Sequence, residues 1–325
     1  MSLLARAETS LAFCFDAAIG ASAPPRLVEA MRHAVFSKGA RIRPQLTLSV
    51  AMACGDDRPA LTNAAASALE LMHCASLVHD DMPAFDDADT RRGRPTVHKA
   101  FGEALALLAG DALIVMAYQV LLNAGMAQPE RLVGLMQNMT SGVGLPNGIV
   151  AGQAWECEPR ADLGQYQRAK TGALFVAATC AGALASGVDA QPWVALGASL
   201  GEAYQVADDI RDVMGLSAEL GKPAGQDALH TRPSAASELG LGGAVDYFEA
   251  LVQTAVDSVP HCNCRDMLQQ LVRHESERLV PRAACAAYRL PHAKATPSLQ
   301  ATPSLQATSA PQASPALQAA PVFSA

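Results

Sequence analysis

The sequence predicts an all-α protein, a large single-domain helical bundle. Many segments repeat apolar residues at intervals of three or four, as Leu69, Met72 and Ala75 do, and few alternate with a period of two. Alanine and leucine, which favour helices, are frequent. Prolines divide the chain into stretches whose lengths suit helices. The main expected breaks are at Pro24, Pro25, Pro44, Pro83, Pro95, Pro146 and Pro223.

The chain of 325 residues is 50% hydrophobic and 17% charged, with a formal net charge of −7. The low charged fraction indicates extensive burial, and the negative balance argues against a nucleic-acid surface. No secretory signal is expected, because the apolar segment 11–15 ends at Asp16 without a basic start. The uncharged segment 132–155 contains polar residues and Pro146, so we expect buried helices rather than a transmembrane segment. Eight scattered cysteines predict reduced thiols and a cytoplasmic protein.

The composition divides the chain into a folded domain, residues 1–290, and a tail, residues 291–325. The hexapeptide ATPSLQ occupies residues 295–300 and recurs at 301–306, and Lys294 is the only charged residue of the tail. Such a segment contains too little apolar surface to offset the entropy of ordering. We therefore expect a disordered tail.

An acidic cluster directly follows the apolar segment 64–78. Its five carboxylates lie within ten residues and belong to Asp80, Asp81, Asp86, Asp87 and Asp89. On a straight helix Asp80 and Asp86 would lie about 240° apart around the axis. Pro83 removes a backbone donor between them and disturbs the helix. We expect a turn there that brings Asp86 back beside Asp80.

A second acidic cluster consists of Asp208, Asp209 and Asp212, and Asp208 and Asp212 share one helix face. Two carboxylates about 4 Å apart repel each other by about 4 kcal/mol at an effective dielectric constant of 20, which favours a bound cation. Oxygen ligands without His or Cys suit Mg²⁺, which takes a few carboxylates together with substrate phosphates. A solvated loop is the alternative explanation for either cluster alone.

Basic residues accompany both clusters. They are Arg41, Arg43, Arg91, Arg92, Lys170 and Lys222. Each alone is better explained as a surface charge. Together with the acids they predict a phosphate-bearing substrate that is held by metal and by Arg and Lys side chains.

These motifs resemble those of the trans-isoprenyl diphosphate synthases. The strings LVHDDMPAFDDADTRRG and YQVADDIRDVMG match the two aspartate-rich regions of that family, and GQAWE and AKTGALF match two motifs between them. The resemblance covers residues 31–240. It implies an all-α fold of ten or more helices around a deep apolar cavity, usually as a homodimer. The implied activity is the Mg²⁺-dependent condensation of isopentenyl diphosphate with an allylic diphosphate.

The resemblance also assigns roles to individual residues. Three Mg²⁺ ions would be served by six aspartates, with Asp80, Asp86 and Asp208 as ligands and Asp81, Asp209 and Asp212 in support. The allylic diphosphate, or the cation formed from it, would be contacted by Arg91, Lys170, Thr171, Gln205 and Lys222. Isopentenyl diphosphate would be held by Arg43, His73 and Arg92.

One departure from the family pattern is Ala40, which stands where a phosphate-binding Lys is expected. A charge-assisted contact of this kind is worth about 1.5–3 kcal/mol. Lys38 or Arg41 would have to supply it instead, and we count Arg41 among the predicted substrate-binding residues. His79 precedes Asp80, and we expect it to have a packing or hydrogen-bonding role, because the chemistry needs no protein nucleophile.

Product length is predicted from the helix that ends at Asp80. One helical turn rises about 5.4 Å, close to the length of an isoprene unit, so residues one and two turns before Asp80 would limit the cavity. Ala75 and Ser76 are small and leave room for a C20 product, geranylgeranyl diphosphate, with Met72 or Leu71 as the floor. The alternative is that these small residues only permit close helix packing.

Three other functions remain open. A farnesyl diphosphate synthase would use the same chemistry in a shallower cavity. Ala40 is compatible with a non-catalytic partner subunit of the same fold. The pair His79–Asp80 would suit a metal phosphohydrolase of the HD type, but that function leaves the second acidic cluster unexplained. Nothing in the sequence chooses among carotenoids, chlorophyll side chains and quinones as the use of a C20 diphosphate.

Overall fold

The computed structural model describes residues 1–37, 39–159, 163–214, 235–262 and 264–280. Within these ranges regular structure is helical apart from one two-stranded hairpin, so the predicted fold class is confirmed. The α-helices are α1 Leu3–Ala18, α2 Pro25–Val35, α3 Ile42–Ala53, α4 Pro59–Asp80, α5 Val97–Phe101, α6 Glu103–Gly125, α7 Pro129–Val143, α8 Ile149–Trp155, α9 Leu163–Gln167, α10 Ala173–Ala185, α11 Val194–Val213, α12 Ala235–Asp257 and α13 Arg265–Leu279. The predicted tail 291–325, Lys222 and Pro223 lie outside the described residues.

Prolines lie close to helix ends, as predicted. Pro25 is the first residue of α2, Pro83 follows the end of α4, and Pro146 lies between α7 and α8. Pro44 differs, because it is the third residue of α3 rather than a break before it. In the first helical turn the missing N–H of a proline has no helical partner to lose, so the ring is tolerated.

Helix α4 is the centre of the main hydrophobic core and is buried along nearly its whole length. Small side chains let its neighbours approach closely. Gly110 of α6 lies so near to His79 that a Cβ atom there would be 2.0 Å from the imidazole Nε2 atom. The same Nε2 atom is 3.3 Å from the carbonyl oxygen of Leu107. His79 therefore faces α6, in keeping with the packing role expected for it.

Helices α3 and α10 approach each other through a buried polar contact. The Thr47 hydroxyl donates to the carbonyl oxygen of Ala178 at 3.0 Å. Gly182 makes this approach possible, since a Cβ atom there would be 2.5 Å from the carbonyl oxygen of Thr47. The contact fixes α10, and with it the segment that enters α10, against the core.

Arg41, which was predicted to bind substrate, forms ion pairs inside the fold. Its guanidinium donates to Glu70 at 2.7 Å, to Glu8 at 2.8 Å and to the carbonyl oxygen of Val35 at 2.6 Å. The Arg41 and Glu70 side chains are 1% and 3% exposed. Removing one member of such a buried pair leaves an uncompensated charge. The Arg41 guanidinium is therefore engaged by acids of the fold, and its role in substrate binding stays a prediction.

A short antiparallel hairpin, Thr90–Pro95, was not anticipated. Its strands are β1 Thr90–Arg91 and β2 Arg94–Pro95, with Arg91 opposite Arg94. The turn residues Arg92 and Gly93 have φ angles of 53° and 72°. Two consecutive positive φ values suit a two-residue hairpin turn, whose twist matches that of the strands. Strands of two residues are too short to produce a sequence periodicity.

A π-helix, Arg168–Gly172, joins α9 to α10 and contains Lys170 and Thr171. Its widened turn was not expected from the sequence. Single π turns inside helices frequently occur at functional sites. Gly152 of α8 packs against this turn, since a Cβ atom there would be 2.3 Å from the backbone nitrogen of Lys170.

Within the described part of the chain, α6 is the one helix long and apolar enough to cross a membrane. Core helices of soluble proteins pass the same test of length and composition. One side of α6 packs on α4 in the main core, and the other side is exposed. In the sequence, the segment considered as a possible transmembrane span was 132–155, for which buried helices were expected. This segment forms most of α7 and all of α8.

Candidate active site

Asp80 occupies the last position of α4, where its side chain is 11% exposed. Its Oδ1 atom accepts from the Gln153 amide at 2.9 Å and lies 3.3 Å from the Lys170 ammonium nitrogen. Its Oδ2 atom lies 3.7 Å from a guanidinium nitrogen of Arg91. Donors from α8, the π-helix and the hairpin thus meet at one carboxylate. Partners from elsewhere in the chain therefore surround this carboxylate at the end of an apolar helix.

Asp81 and Arg91 form a tight ion pair. The Arg91 Nε atom lies 2.8 Å from both carboxylate oxygens of Asp81. Burial by itself would lower the pKa of Arg91, but the ion pairs with Asp81 and Asp80 raise it above its ordinary value. The pair fixes the start of the hairpin against the end of α4.

The chain turns back after α4 as predicted. The backbone N–H of Asp86 donates to the carbonyl oxygen of Asp80 at 3.0 Å, and that of Ala88 donates to Asp81 at 3.1 Å. This turn places Asp86 next to Asp80 along the backbone and leaves the Asp86 side chain partly exposed. The expected arrangement of the backbone around Pro83 is confirmed.

A second acid, Glu156, shares its partners with Asp80. Glu156 accepts from Lys170 at 2.7 Å and from Gln153 at 3.0 Å, and also from the Tyr166 hydroxyl. Lys170 and Gln153 therefore each bridge the two acids. The sequence predicted no role for Glu156, Gln153 or Tyr166, although GQAWE contains the first two. The three-residue spacing of Gln153 and Glu156 was the available signal.

The second acidic cluster divides into two environments at the end of α11. Gln205 accepts from the Thr171 hydroxyl at 2.9 Å and donates to Asp209 at 3.1 Å. Asp209 is buried and also accepts from the first backbone N–H of α12, that of Ala235, at 2.8 Å. The Asp208 side chain is 51% exposed and pairs with Arg211. Asp208 is thus accessible, whereas Asp209 joins two helices.

His73, Arg43 and Arg92 interact electrostatically with one another, and this group of residues is called the basic pocket below. His73 lies two turns before Asp80, on the same face of α4. Burial lowers the pKa of His73 well below its ordinary value, and nearby Arg43 and Arg92 lower it further. The Arg43 guanidinium lies over the Phe175 ring at 4.6 Å. The pocket therefore combines a neutral imidazole with two cations.

Two buried polar atoms of this pocket suit an anionic ligand. Within the described residues, His73 Nδ1 and Arg43 Nε have no hydrogen-bond partner. Buried polar atoms are normally satisfied, and such exceptions require an explanation. Burial lowers the pKa of Arg43, although Tyr204, Glu70 and Asp208 act in the opposite direction. The Arg43 guanidinium is thus within electrostatic range of Asp208 in the second acidic cluster.

The carboxylates fit a metal that arrives together with a phosphate ligand. Among the described residues no group of three or more His, Cys, Asp or Glu side chains is assembled to hold a metal ion. Mg²⁺ commonly takes only one or two protein carboxylates and completes its shell with water and substrate phosphates. Asp80, Asp86 and Asp208 provide oxygen donors of that kind. Asp212 lies one turn beyond Asp208 on α11.

The residues predicted to set product length have different surroundings. Ala75 and Met72 are buried in the main core. Ser76 is partly exposed, and its hydroxyl donates to the carbonyl oxygen of His73 at 2.8 Å. Counting 100° per residue, Ser76 is about 40° and Ala75 about 140° from Asp80 around the helix. Ser76 therefore lies on the face of α4 that carries the site, and Ala75 packs away from it.

A cavity of about 590 Å³ lies between α7, the π-helix, α10 and α11. Of the predicted site residues, Gln205 is the one that lines it, and Ala75, Ser76 and Met72 do not. The path of an isoprenoid tail along α4 thus remains a prediction.

The chain was compared with known proteins. The family profile described as polyprenyl synthetase matches residues 24–251. A geranylgeranyl diphosphate synthase of Cereibacter sphaeroides is 52% identical, over 88% of this chain and 99% of its own length. A farnesyl diphosphate synthase of Geobacillus stearothermophilus is 38% identical, over 71% of this chain and 81% of its own.

Similarity extends to solved structures. A geranyltransferase of Helicobacter pylori, crystallised with magnesium and isoprenyl diphosphate, has a TM-score of 0.70 to this chain at 28% identity. The match covers 88% of this chain and 96% of that one.

The environment of His73 predicts a pH dependence of stability. The folded state resists protonation of His73, whereas the unfolded chain binds a proton near pH 6.5, so stability is lost as the pH falls. Urea titrations at about pH 7.5 and 5.5 measure the free energy of unfolding. Between these two pH values, the free energy of unfolding of the wild type should fall by about 1.4 kcal/mol more than that of His73→Gln. Imidazole NMR provides the check. Titration of His73 in the folded protein with a midpoint near its ordinary value would contradict the prediction.

Proposed function

Because this chain belongs to the polyprenyl synthetase family, we propose that it is a prenyltransferase that makes geranylgeranyl diphosphate from farnesyl diphosphate and isopentenyl diphosphate. The observation that carries the proposal is Asp80 at the end of a buried helix, between Lys170 and Arg91 and beside the basic pocket. Acids, cations and a second anion-binding pocket are what two diphosphate substrates require. The 52% identity to a geranylgeranyl diphosphate synthase supports the C20 product.

The allylic diphosphate binds on the Asp80 side. Asp80, Asp86 and Asp208 would hold Mg²⁺ there, three ions in all. When bound, Mg²⁺ neutralises the diphosphate charge and so favours its departure. Lys170 and Arg91, which lie beside the Asp80 carboxylate, would contact the diphosphate there through charge-assisted hydrogen bonds. The magnesium and isoprenyl diphosphate in the Helicobacter pylori structure support this assignment.

Isopentenyl diphosphate binds in the basic pocket of His73, Arg43 and Arg92. Neutral His73 donates or accepts a hydrogen bond without adding charge, and the two arginines supply charge-assisted bonds. Phe175 lies beneath the Arg43 guanidinium and holds its plane in place. The pocket thus orients the double bond toward the allylic carbon.

The reaction needs no protein nucleophile. The allylic C–O bond breaks and the diphosphate leaves with the electron pair, stabilised by positive groups already aimed at it. The double bond of isopentenyl diphosphate then forms the new C–C bond with the allylic cation. A proton leaves the adjacent carbon to the released diphosphate. The Thr171 hydroxyl and the Gln205 amide group lie at the π-helix, where their dipoles stabilise the cation.

The other functions have less support. The farnesyl diphosphate synthase relative is 38% identical, so a C15 product is the second candidate. His79 faces α6 while Asp80 faces Lys170, so the pair does not present a shared site for an HD phosphohydrolase. Activity of the purified chain alone would exclude a non-catalytic subunit. We expect the enzyme in the cytoplasm, and carotenoid synthesis is one use for its product.

A homodimer is supported by an exposed apolar stripe on α6. Leu108, Val115 and Leu122 are 50%, 65% and 44% exposed and are spaced by seven residues. Residues seven apart lie on one helix face with a drift of about 20°. Contiguous exposed apolar surface of this kind marks an interaction site. A second copy of the chain is the proposed occupant.

The aspartate assignment predicts a selective loss of activity. The wild-type chain should make prenyl diphosphates with Mg²⁺, and Asp80→Asn or Asp208→Asn should lower kcat by at least about a hundredfold, because diphosphate departure loses its electrostatic support. Asp89→Asn is the matched control, since this acid of the same cluster is 81% exposed and pairs with Lys99. Chromatography of labelled products measures each rate. Near-normal turnover of either test variant would refute the assignment.

Product length can be shortened by filling the space along α4. Ser76→Phe should shift the main product from C20 toward C15, because the tail meets a ring one isoprene unit earlier. Ser76 lies on the site face and tolerates a larger group even if Ala75 does not. Product chain length is read by chromatography after dephosphorylation. An unchanged C20 product from folded Ser76→Phe enzyme would rule out the helix as the length determinant.

The dimer proposal is tested on the stripe itself. Val115→Glu buries an unpaired charge in the interface and should convert a dimer into a 33.8 kDa monomer by light scattering. Val188→Glu makes the same change at an exposed position outside the stripe and should leave the dimer intact. A wild-type monomer, or a dimer that persists in Val115→Glu, would exclude this interface.

A further inference from the structure

The hairpin Thr90–Pro95 sends two consecutive arginines to different places. Arg91 pairs with Asp81 and Asp80 at the end of α4. Arg92, at the left-handed turn position, reaches the other way, and its guanidinium donates to the Ser37 hydroxyl at 3.2 Å and covers Gly39. Under the proposed function, one short element therefore serves both substrates.

The two arginines differ in how firmly they are held. Arg91 has its own anchor, the paired carboxylate of Asp81. Among the described residues, the one hydrogen bond recorded for Arg92 is that to Ser37. The position of the Arg92 side chain therefore depends on where the hairpin backbone lies.

His33 of α2 fixes the far strand of the hairpin. Its Nε2 atom lies 2.7 Å from the carbonyl oxygen of Pro95, and its Nδ1 atom lies 2.9 Å from a guanidinium nitrogen of Arg94. A carbonyl needs a donor and a guanidinium needs an acceptor, so both contacts form only with neutral imidazole protonated at Nε2. The ring also packs edge-on against Phe101, with centroids 5.4 Å apart.

We propose that His33 is a positioning residue for isopentenyl diphosphate, which acts through the hairpin on Arg92. This inference rests on the proposed function. His33 itself lies outside the site and touches neither substrate. Its loss releases the Pro95 strand, so Arg92 moves while the Asp81 pair still holds Arg91. The affinity for isopentenyl diphosphate then falls more than that for the allylic substrate.

The test is a set of steady-state measurements on variants of the full chain, with farnesyl and isopentenyl diphosphates and Mg²⁺. His33→Ala should raise the KM for isopentenyl diphosphate about fivefold, the equivalent of one lost hydrogen bond, and leave the KM for farnesyl diphosphate within about twofold. His33→Gln carries a donor and an acceptor and should restore the wild-type KM. Arg94→Met removes one of the two contacts and should raise the same KM without altering α2.

Arg32→Ala is the matched control. Arg32 precedes His33 on α2 but pairs with Asp16 instead of the hairpin, so its loss should leave both KM values unchanged. Thermal unfolding of each variant accompanies the kinetics.

Three results would overturn the inference in an active wild-type enzyme. These are an unchanged isopentenyl KM in His33→Ala and Arg94→Met, an equal rise of both KM values, and failure of His33→Gln to restore the KM. If wild type makes no prenyl product, the proposed function fails instead, and the two failures are thereby distinguished.

Discussion

The rest of the site depends on the hydrogen bonds and ion pairs that balance the negative charge of Asp80. An ionised carboxylate at the end of an apolar helix is costly unless charges and hydrogen bonds surround it. Here the partners come from three separate places, Gln153 on α8, Lys170 on the π-helix and Arg91 on the hairpin. The fold must bring these three elements to one point, and the close approaches at glycines are what allow it. The site is therefore a product of helix packing and not of a single local motif.

The same arrangement links the two acidic clusters. Lys170 reaches Asp80 on α4, and the next residue, Thr171, bonds Gln205 on α11. Gln205 in turn holds Asp209, which caps α12. Asp208, left accessible, lies within the electrostatic range of Arg43 in the basic pocket. Acidic and basic side chains thus lie close together in the site. The basic side chains suit an anionic substrate, and the acidic ones suit its metal.

Structural features that depend only on residues close together in the chain were predictable from the sequence. The helical period gave the fold class, and Pro83 gave the turn that returns Asp86 to Asp80. Features that depend on distant partners were not. Tyr166 and His33 gain their roles from groups that only the fold brings near. The ion pair of Arg41 with buried Glu70 was not predictable either, because the two residues are 29 positions apart and no local pattern joins them.

The π-helix fixes the spacing between two of the contacts that build the site. Lys170 and Thr171 are chain neighbours, so their Cα atoms are held about 3.8 Å apart by the peptide bond between them. The contact of Lys170 with α4 and the contact of Thr171 with α11 thus start from backbone positions whose spacing is set by covalent geometry. Side-chain substitutions do not alter this spacing.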